Sequence, residues 1–348
     1  VRAAFTLDAD SLFAAFAWLR YIVFAASMAS WALAEEKGRR WLLYSSAAAV
    51  SFLSIDGFIQ YIFRQDIFGH ALYDGHRLTG SFKRPILGTT IANLFTPPIF
   101  WFLIRKRIFT GALLALSCFA VIFLSGDRMA FLFSSAVMFA WFIVFLRTFS
   151  AQWKTFSKLH ALLLLSGVLL ASSMVFAYFP RALIERQFYS TLEMAKNVPS
   201  SPYGRIWISA IDVANAYPVF GVGIKQFRNA CREERFGPVA YPPNNFERCH
   251  THTHNIYMEW LSEGGYLGLL GFFGFVLTVA VGLARRLMSR NGDAVLLGLA
   301  VMLAVRLAPF YISTSFFNNW AAIPFWLALG WAMSYKSSPT GHKTEKPT

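Results

Sequence analysis

The chain of 348 residues is 56% hydrophobic and only 14% charged, whereas a soluble domain usually has about a quarter charged residues. This composition excludes a disordered chain, a coiled coil and an ordinary cytosolic enzyme, and it is typical of a protein that crosses the membrane several times. The net charge of +14 would suggest nucleic-acid binding in a soluble protein, but in a membrane protein it predicts basic cytoplasmic loops. We therefore expect no nucleic-acid partner.

About nine stretches are apolar over the roughly 20 residues that a membrane-spanning helix needs. They cover residues 11–34, 41–63, 86–104, 108–126, 129–149, 159–178, 265–283, 294–312 and 316–335. The sequence thus predicts an all-α polytopic membrane protein. Its parts are transmembrane helices with an outer loop (64–85) in residues 1–178, a long, partly helical periplasmic loop at 179–253, further transmembrane helices at 254–335, and a cytoplasmic tail at 336–348. Pro97 and Pro98 lie inside the third stretch and predict a kink there.

Basic residues cluster in every second connection between these stretches. The clusters lie at 35–40, 105–107, 147–158 and 285–290, and in the tail at Lys336, Lys343 and Lys346. The positive-inside rule assigns them to the cytoplasm, so the loops 64–85 and 179–253 and the turn at Asp127 and Arg128 face outward. The first stretch then runs from outside to inside, which predicts an odd number of helices before Val1.

Three ionisable residues, Arg20, Asp56 and Arg306, lie inside apolar stretches. Such residues usually face a partner or a wet cavity, because an isolated charge is costly at membrane depth. One interpretation is a polar cavity or a substrate path. The other is a structural pair, such as Asp56 with one of the two arginines.

The long loop 179–253 has nine basic and six acidic residues, an excess that the positive-inside rule does not predict for an outer loop. Further basic residues on the same side are Arg77, Lys83, Arg84 and Arg128. Guanidinium forks match phosphate and pyrophosphate, so these residues predict an anionic ligand at the outer face. Cys231 and Cys249 lie in the same loop. An outer location is compatible with a disulfide between them, but the sequence alone does not show that the two sulfurs meet.

Three histidines, His250, His252 and His254, alternate along the end of this loop. They can be polar loop residues near the lipid headgroups. They can also share one face of an extended segment and bind a metal ion. A third interpretation makes His254 a general base, since the pKa of imidazole lies near neutrality. The spacing leaves all three open.

Four short motifs follow one another on the predicted outer face. Residues 254–268 read His-Asn, nine residues, then Gly-x-x-Gly, and residues 128–132 read Arg-x3-Leu at the outer end of a helix. Residues 77–82 read Arg-Leu-Thr-Gly-Ser-Phe, and residues 204–227 begin Gly-Arg and continue through Gly-Val-Gly to Phe. In content and order these motifs resemble those of the O-antigen ligase family, within the superfamily of O-antigen ligases and polymerases. O-antigen polymerases and protein O-glycosyltransferases share the fold and parts of the pattern.

The resemblance implies a membrane glycosyltransferase with about twelve helices, of which about three would precede Val1. Such enzymes move a glycan from undecaprenyl pyrophosphate to an acceptor at the periplasmic face of the bacterial inner membrane. A ligase in lipopolysaccharide biosynthesis uses a sugar hydroxyl of lipid A–core. The expected partners are therefore the lipid-linked glycan, lipid A–core or another glycan acceptor, and membrane lipids. The resemblance implies no nucleotide, no metal and no other cofactor.

Residue roles follow from this chemistry. We expect His254 to take the proton of the acceptor hydroxyl. Arg128 and Arg205 would stabilise the pyrophosphate leaving group. The supporting substrate-binding residues are Arg77, Lys83, Arg84, Asn255 and Glu263. Structural alternatives remain for several of them: a snorkelling arginine at 128, a loop ion pair at 205, and a helix-entrance cap at 263.

Two rival functions remain. An O-antigen or exopolysaccharide polymerase would join two lipid-linked repeat units, but polymerases usually have two long outer loops, whereas this sequence has one. A transporter of an anionic lipid or solute would explain the outer arginines and Asp56, but it would not explain the ordered motifs.

Overall fold

The computed structural model describes residues 9–105, 107–150, 181–236, 240–241, 246–289, 293–312 and 314–335. The predicted helix at 159–178, the basic residue Lys154 and the tail 336–348 lie outside this part of the chain. The described part is mainly helical, with one antiparallel pair of two-residue strands, β1 (Ala240–Tyr241) and β2 (Phe246–Glu247). The prediction of an all-α polytopic membrane protein is therefore confirmed.

Thirteen described α-helices follow the chain in order. They are α1 (Ala9–Ser27), α2 (Glu36–Phe63), α3 (Leu87–Ala92), α4 (Thr96–Ile104), α5 (Ile108–Leu124), α6 (Arg128–Ser150), α7 (Arg181–Ile184), α8 (Ser190–Lys196), α9 (Pro202–Ala216), α10 (Phe227–Ala230), α11 (Ile256–Ser289), α12 (Ala294–Arg306) and α13 (Asn319–Met333). Short π-helical segments lie at Met28–Ala32 and Glu185–Tyr189, and short 3-10 segments lie at Val198–Ser200 and Glu234–Phe236.

Four helical stretches of the described part are long and apolar enough to cross a membrane: Ala9–Ala32, Glu36–Phe63, Arg128–Arg147 and Ile256–Ser289. Two shorter apolar helices lie at Ile108–Leu124 and Ala294–Arg306. The several spans fit the expected polytopic class. The count of about nine spanning stretches stays a prediction.

The third predicted stretch is not one helix. It divides into α3 and α4, and the break lies at residues 93–95. Pro97 and Pro98 lie in the first turn of α4, where a missing backbone N–H forfeits no helical hydrogen bond. The prediction of a kink within a single helix is therefore wrong, because the two prolines start a new helix.

The described residues form two compact units. The middle unit, Leu42–Lys196, holds most of α2 and helices α3 to α8. In it α3 and α4 pack against α5 and α6, with Phe95, Phe100 and Ile122 fully buried. Helix α2 approaches α5 closely at Gly57, where a Cβ atom would lie 2.7 Å from Cγ1 of Val121.

The terminal unit consists of Val1–Trp41 and Asn197–Thr348. Helix α1 packs against α13, and α12 packs against α13 as well. A Cβ atom on Gly330 of α13 would lie 2.7 Å from the carbonyl oxygen of Ala25, so the two backbones are in close contact there. Trp18 of α1 packs edge-on against Trp260 and Trp326, with ring centroids 5.7 and 5.6 Å apart. These aromatic contacts join α1 to α11 and α13.

Part of the long outer loop has a small core of its own around α9. Ser201 caps this helix by accepting a hydrogen bond from the backbone N–H of Gly204 at 3.0 Å. Its apolar residues recur at helical spacing, and the buried core cluster contains Ile206, Ala210, Val213, Val222, Phe227, Ala230, Cys231 and Cys249. Burial of one face at the i, i+4, i+7 period is what holds an amphipathic helix in place. The loop is therefore a folded element that can position side chains.

Candidate functional site

The end of the loop turns sharply into α11 at His254 and Asn255. Asn255 is buried, and its Oδ1 accepts hydrogen bonds from the backbone N–H groups of Tyr257 and Met258 at 2.9 and 3.1 Å. Its Nδ2 donates to the carbonyl oxygen of Pro309 at 2.6 Å. Asn255 thus caps the helix, as asparagine often does. The expected contact of Asn255 with substrate stays a prediction, while its bonds to the backbone place it in a capping role.

The three histidines form one cluster. His254 Nε2 and His250 Nδ1 are 3.1 Å apart, at hydrogen-bonding distance. The ring of His252 lies 4.0 Å from that of His254, centroid to centroid. Tyr203 of α9 packs edge-on against His254 at 5.4 Å. The backbone of His254 has a φ of 55°, which is uncommon for a residue other than glycine. The fold therefore holds the backbone that bears this imidazole in a sparsely populated conformation.

The same cluster has the geometry of a potential metal site. One ligand nitrogen from each of His250, His252 and His254 lies within 4.8 Å of the others. Three imidazoles in this arrangement could ligate zinc, which prefers nitrogen ligands at about 2.0–2.1 Å. The pKa of His250 lies below its ordinary value, because the lowering effect of partial burial exceeds the raising effect of the nearby Glu247. A neutral His250 can act as a hydrogen-bond partner for His254.

Arg205 lies on α9 between two residues that contact the histidine segment. Tyr203 contacts His254, and Trp207 donates from Nε1 to the carbonyl oxygen of Thr253 at 3.1 Å. The side chain of Arg205 is partly buried. Its helix is therefore fixed against the segment that bears His254. No sequence signal pointed to Tyr203, because an isolated tyrosine in an aromatic-rich chain carries no motif.

Glu263 lies one helical turn after Glu259 in α11 and is 2% exposed. Its two carboxylate oxygens accept hydrogen bonds from the backbone N–H groups of Lys225 and Phe227, at 2.6 and 3.2 Å. In addition, the backbone N–H of Val222 donates to the carbonyl oxygen of Ser262 at 3.0 Å. Glu263 is thus an anchor for residues 222–227. The expected contact of Glu263 with substrate remains a prediction.

Two glycines make this anchor sterically feasible. Gly221 and Gly265 have φ angles of 63° and 67°, and a Cβ atom on Gly221 would lie 2.5 Å from the backbone nitrogen of Gly265. Only glycine is compatible with such an approach. Gly265 also interrupts α11 at the residue where the sequence predicts the spanning stretch to begin.

A second group of basic residues lies in the middle unit, at the turn between α5 and α6. Arg77 Nε donates to the carbonyl oxygen of Ser125 at 3.1 Å, and Arg186 Nε donates to that of Gly126 at 2.7 Å. Arg128 begins α6 and donates from Nη1 to the sulfur of Met194 at 3.6 Å. Burial and the neighbouring Arg186 lower the pKa of Arg77 from its ordinary value, against the opposing effect of Asp127.

The turn therefore brings together two of the predicted substrate-binding residues, Arg77 and Arg128, and it adds Arg186. In the sequence, Arg186 is marked only as one of the nine basic residues of the loop 179–253. Lys83 and Arg84, by contrast, have exposed side chains, and their proposed support of substrate binding remains a prediction.

Asp56 and Gln60, one turn apart on α2, hold the outer loop 64–85. Asp56 is fully buried and accepts hydrogen bonds from the backbone N–H of Ile67 at 2.9 Å and from the hydroxyl of Ser81 at 2.7 Å. Gln60 is also fully buried and binds the backbone N–H of Thr79 through Oε1 at 2.8 Å. Of the two interpretations of Asp56, a structural role agrees with these contacts, and its partners are loop groups.

The other two intramembrane charges differ in their place along the helix. Arg20 of α1 donates from Nη2 to Oδ1 of Asn319 at 2.7 Å. Arg306 is the last residue of α12, so it lies at the end of an apolar helix and not at its centre.

Cys231 and Cys249 are brought together in the core of the outer loop. Both are buried, and they are paired as a disulfide with Cα atoms 5.6 Å apart, a separation typical of this bond. The crosslink joins the end of α10 to the segment that leads to the histidines. Cys118, the remaining cysteine, is a buried thiol in α5.

These features together define a polytopic helical membrane protein whose long folded loop carries a histidine cluster and arginines. Residues 112–273 match the family model described as O-antigen ligase. The match supports the assignment of the chain to the O-antigen ligase family, as the motifs suggested, and a function of the membrane glycosyltransferase type. The matched region contains Arg128, Arg205 and His254. No curated protein matches the chain.

Proposed function

We propose that this protein is an O-antigen ligase. It moves a glycan from undecaprenyl pyrophosphate to a sugar hydroxyl of lipid A–core, at the periplasmic face of the bacterial inner membrane. The observation that carries the proposal is the imidazole of His254, held in a strained backbone conformation at the entrance to α11, within the region that matches the family model. The reaction needs no nucleotide and no metal in this proposal.

His254 is the general base. Its contact with His250 fixes the ring, because a neutral imidazole donates through one nitrogen and accepts through the other. When His254 Nε2 donates to His250 Nδ1, at their separation of 3.1 Å, His254 Nδ1 carries the lone pair that takes the proton of the acceptor hydroxyl. Deprotonation lets the oxygen attack the anomeric carbon as the bond to pyrophosphate breaks, which inverts the configuration. Such assistance contributes about 10²–10⁴ in rate.

Arginines stabilise the pyrophosphate leaving group. Charge on the leaving oxygen grows as the glycosidic bond breaks, so a preorganised cation acts most strongly in the transition state. We assign this role to Arg128 and Arg205, with support from Arg77. The guanidinium of Arg77 donates a hydrogen bond to a backbone carbonyl of the turn that precedes Arg128. This bond fixes the position of the cation. Lys83 and Arg84 lie in the same loop as Arg77, the loop 64–85, and contribute further positive charge.

Reconstitution with a lipid-linked glycan and a lipid A–core acceptor tests the function. A glycan-capped core indicates a ligase. A ladder of lengthened donor indicates a polymerase, and movement of the donor without a change in bonds indicates a transporter. Either of the last two results would overturn the proposal.

Variants of the same protein test the residue roles. His254→Ala, Arg128→Ala and Arg205→Ala should each reduce transfer at least about 100-fold and leave the protein in the membrane. The control Lys196→Gln removes one positive charge from an exposed surface pair with Glu193 and should transfer at the normal rate. Full activity in all three alanine variants would contradict the assignment.

A further inference from the structure

A cationic cavity of about 480 Å³ lies in the terminal unit. Three basic side chains line it, Arg20 from α1 and Lys225 and Arg228 from the outer loop, together with polar groups of Thr251, His252 and Asn318. No carboxylate is among the described residues that line this cavity. An enclosure with three cations and several hydrogen-bond donors matches an anion with multiple oxygens.

We propose that this cavity binds a phosphoryl group of one of the two substrates. The inference rests on the proposed function, because it takes the phosphate to be carried by a molecule that reacts at His254. Two sources share this chemistry, namely the diphosphate of the lipid-linked donor and a phosphate group on the lipid A–core acceptor.

The two loop cations are held in position before any ligand arrives. Lys225 has a φ of 62°, a conformation that side-chain-bearing residues seldom adopt. Its backbone N–H is bound at 2.6 Å by the buried carboxylate of Glu263, which also binds the N–H of Phe227. Backbone strain of this kind persists where the surroundings fix it, and it is concentrated at functional sites. Arg228 follows in the first turn of α10.

Arg20 is fixed by neighbours on α1 and α13. One of its nitrogens donates to Asn319 at 2.7 Å, and its guanidinium lies 4.9 Å from the ring centre of Tyr21. A guanidinium with five N–H donors can make these contacts and still present donors to a ligand.

Buried acidic groups do not account for all of this positive charge. Both Lys225 and Arg228 interact electrostatically with Glu259, and Arg228 also interacts with Glu263. Those two carboxyls are themselves bound by backbone N–H groups, including that of Phe316 at 2.7 Å from Glu259. Even with both carboxylates ionised, the three cations leave a positive excess. An anion in the cavity would offset it.

The cavity adjoins the proposed catalytic base. His252 lines it, and the ring of His252 lies 4.0 Å from that of His254. A phosphoryl group held here therefore belongs to a molecule whose reacting end can reach His254.

Calorimetric titration of the purified full chain with inorganic pyrophosphate, and separately with inorganic phosphate, tests the site. Lys225→Gln and Arg228→Gln should each weaken pyrophosphate binding about tenfold, since each loses a charge-assisted bond. Lys196→Gln should bind as the unaltered protein does, and Arg228→Lys should retain most of the affinity. Equal binding by all variants, or no binding by the unaltered protein, would overturn the proposal. If one of the two glutamine variants fails to fold, the other decides the question, because each removes one of the three cations that line the cavity.

A second set of measurements separates this site from the proposed function and identifies the source of the phosphate. His254→Ala should lose transfer but keep pyrophosphate affinity, so loss of the chemistry and loss of the site are distinguishable. In the transfer assay, Lys225→Gln should raise KM selectively. A rise for the lipid-linked donor identifies its diphosphate as the ligand. A rise for the acceptor, absent with a dephosphorylated acceptor, identifies the acceptor phosphate. Unchanged KM values for both substrates would refute the substrate site.

Discussion

Replacement of Glu263 by glutamine removes the anchor of the 222–227 segment with almost no change in shape. The carboxylate accepts two backbone hydrogen bonds, from Lys225 at 2.6 Å and from Phe227 at 3.2 Å, and it is 2% exposed. A glutamine can accept only one of them, and its NH2 group then faces the other backbone N–H. A buried backbone N–H left without an acceptor costs about 1–3 kcal/mol. Local opening of the segment should therefore become about 10- to 100-fold more frequent.

Hydrogen exchange followed by mass spectrometry measures this opening directly. Peptides that cover residues 222–230 should exchange faster in Glu263→Gln by that factor, while peptides from α9 change little. Glu193→Gln is the matched control, because the Glu193 side chain is 70% exposed in its pair with Lys196 and such pairs contribute little. Unchanged exchange at 222–230 in Glu263→Gln would refute the anchoring role. The same result would mean that Glu263 does not fix the position of Lys225, which lines the proposed cavity.

Three further predictions concern the outer loops. Replacement of Cys231 and Cys249 by serine removes a disulfide between residues 18 positions apart and should lower the free energy of unfolding by about 3 kcal/mol. Denaturant unfolding in detergent measures this change, and equal unfolding midpoints for the variant and the unaltered protein would contradict it. Burial lowers the pKa of His250 below its ordinary 6.5, so the unfolded chain takes up the proton first as pH falls. Stability should be highest above pH 6.5 and decline below it, and a thermal melting series should show a smaller decline in His250→Ala. Gln60→Ala strands the buried backbone N–H of Thr79, at a cost of about 1–3 kcal/mol, and should speed limited proteolysis within residues 64–85; an unchanged cleavage rate would count against the anchor.

Hydrophobic pattern was sufficient to predict the helical membrane class and the approximate extent of α2, α5 and α6. It failed at residues 86–104, because an apolar run gives no sign of where a helix stops within it. Pro97 carried the relevant information, since proline is as typical of a first helical turn as of a kink. At Gly265 the predicted start of the apolar stretch coincided with a break in α11, and the helical residues before that break lie within the region 254–335 that was predicted to be helical.

The candidate site was predictable where a motif marked it and not where tertiary contacts create it. The His-Asn pair pointed to residue 254, and the loop charge pointed to Arg77 and Arg128. Nothing local indicated that Glu263 binds the backbone at Lys225, because a contact across 38 residues leaves no trace in spacing. For the same reason the sequence left Asp56 open between a substrate path and a structural pair with an arginine, whereas its partners are groups of the loop that follows α2.

The attachment of the cavity-lining segment has a consequence for how substrate preference can change. Glu263 holds residues 225 and 227 by their backbone N–H groups, and these groups are present whatever the side chains are, proline excepted. The side chains at 225 and 228 can therefore be exchanged while the attachment stays intact. The attachment and the charge of the cavity lining are carried by different atoms of one short segment, so single substitutions there can change the charge pattern without removing the bonds to Glu263.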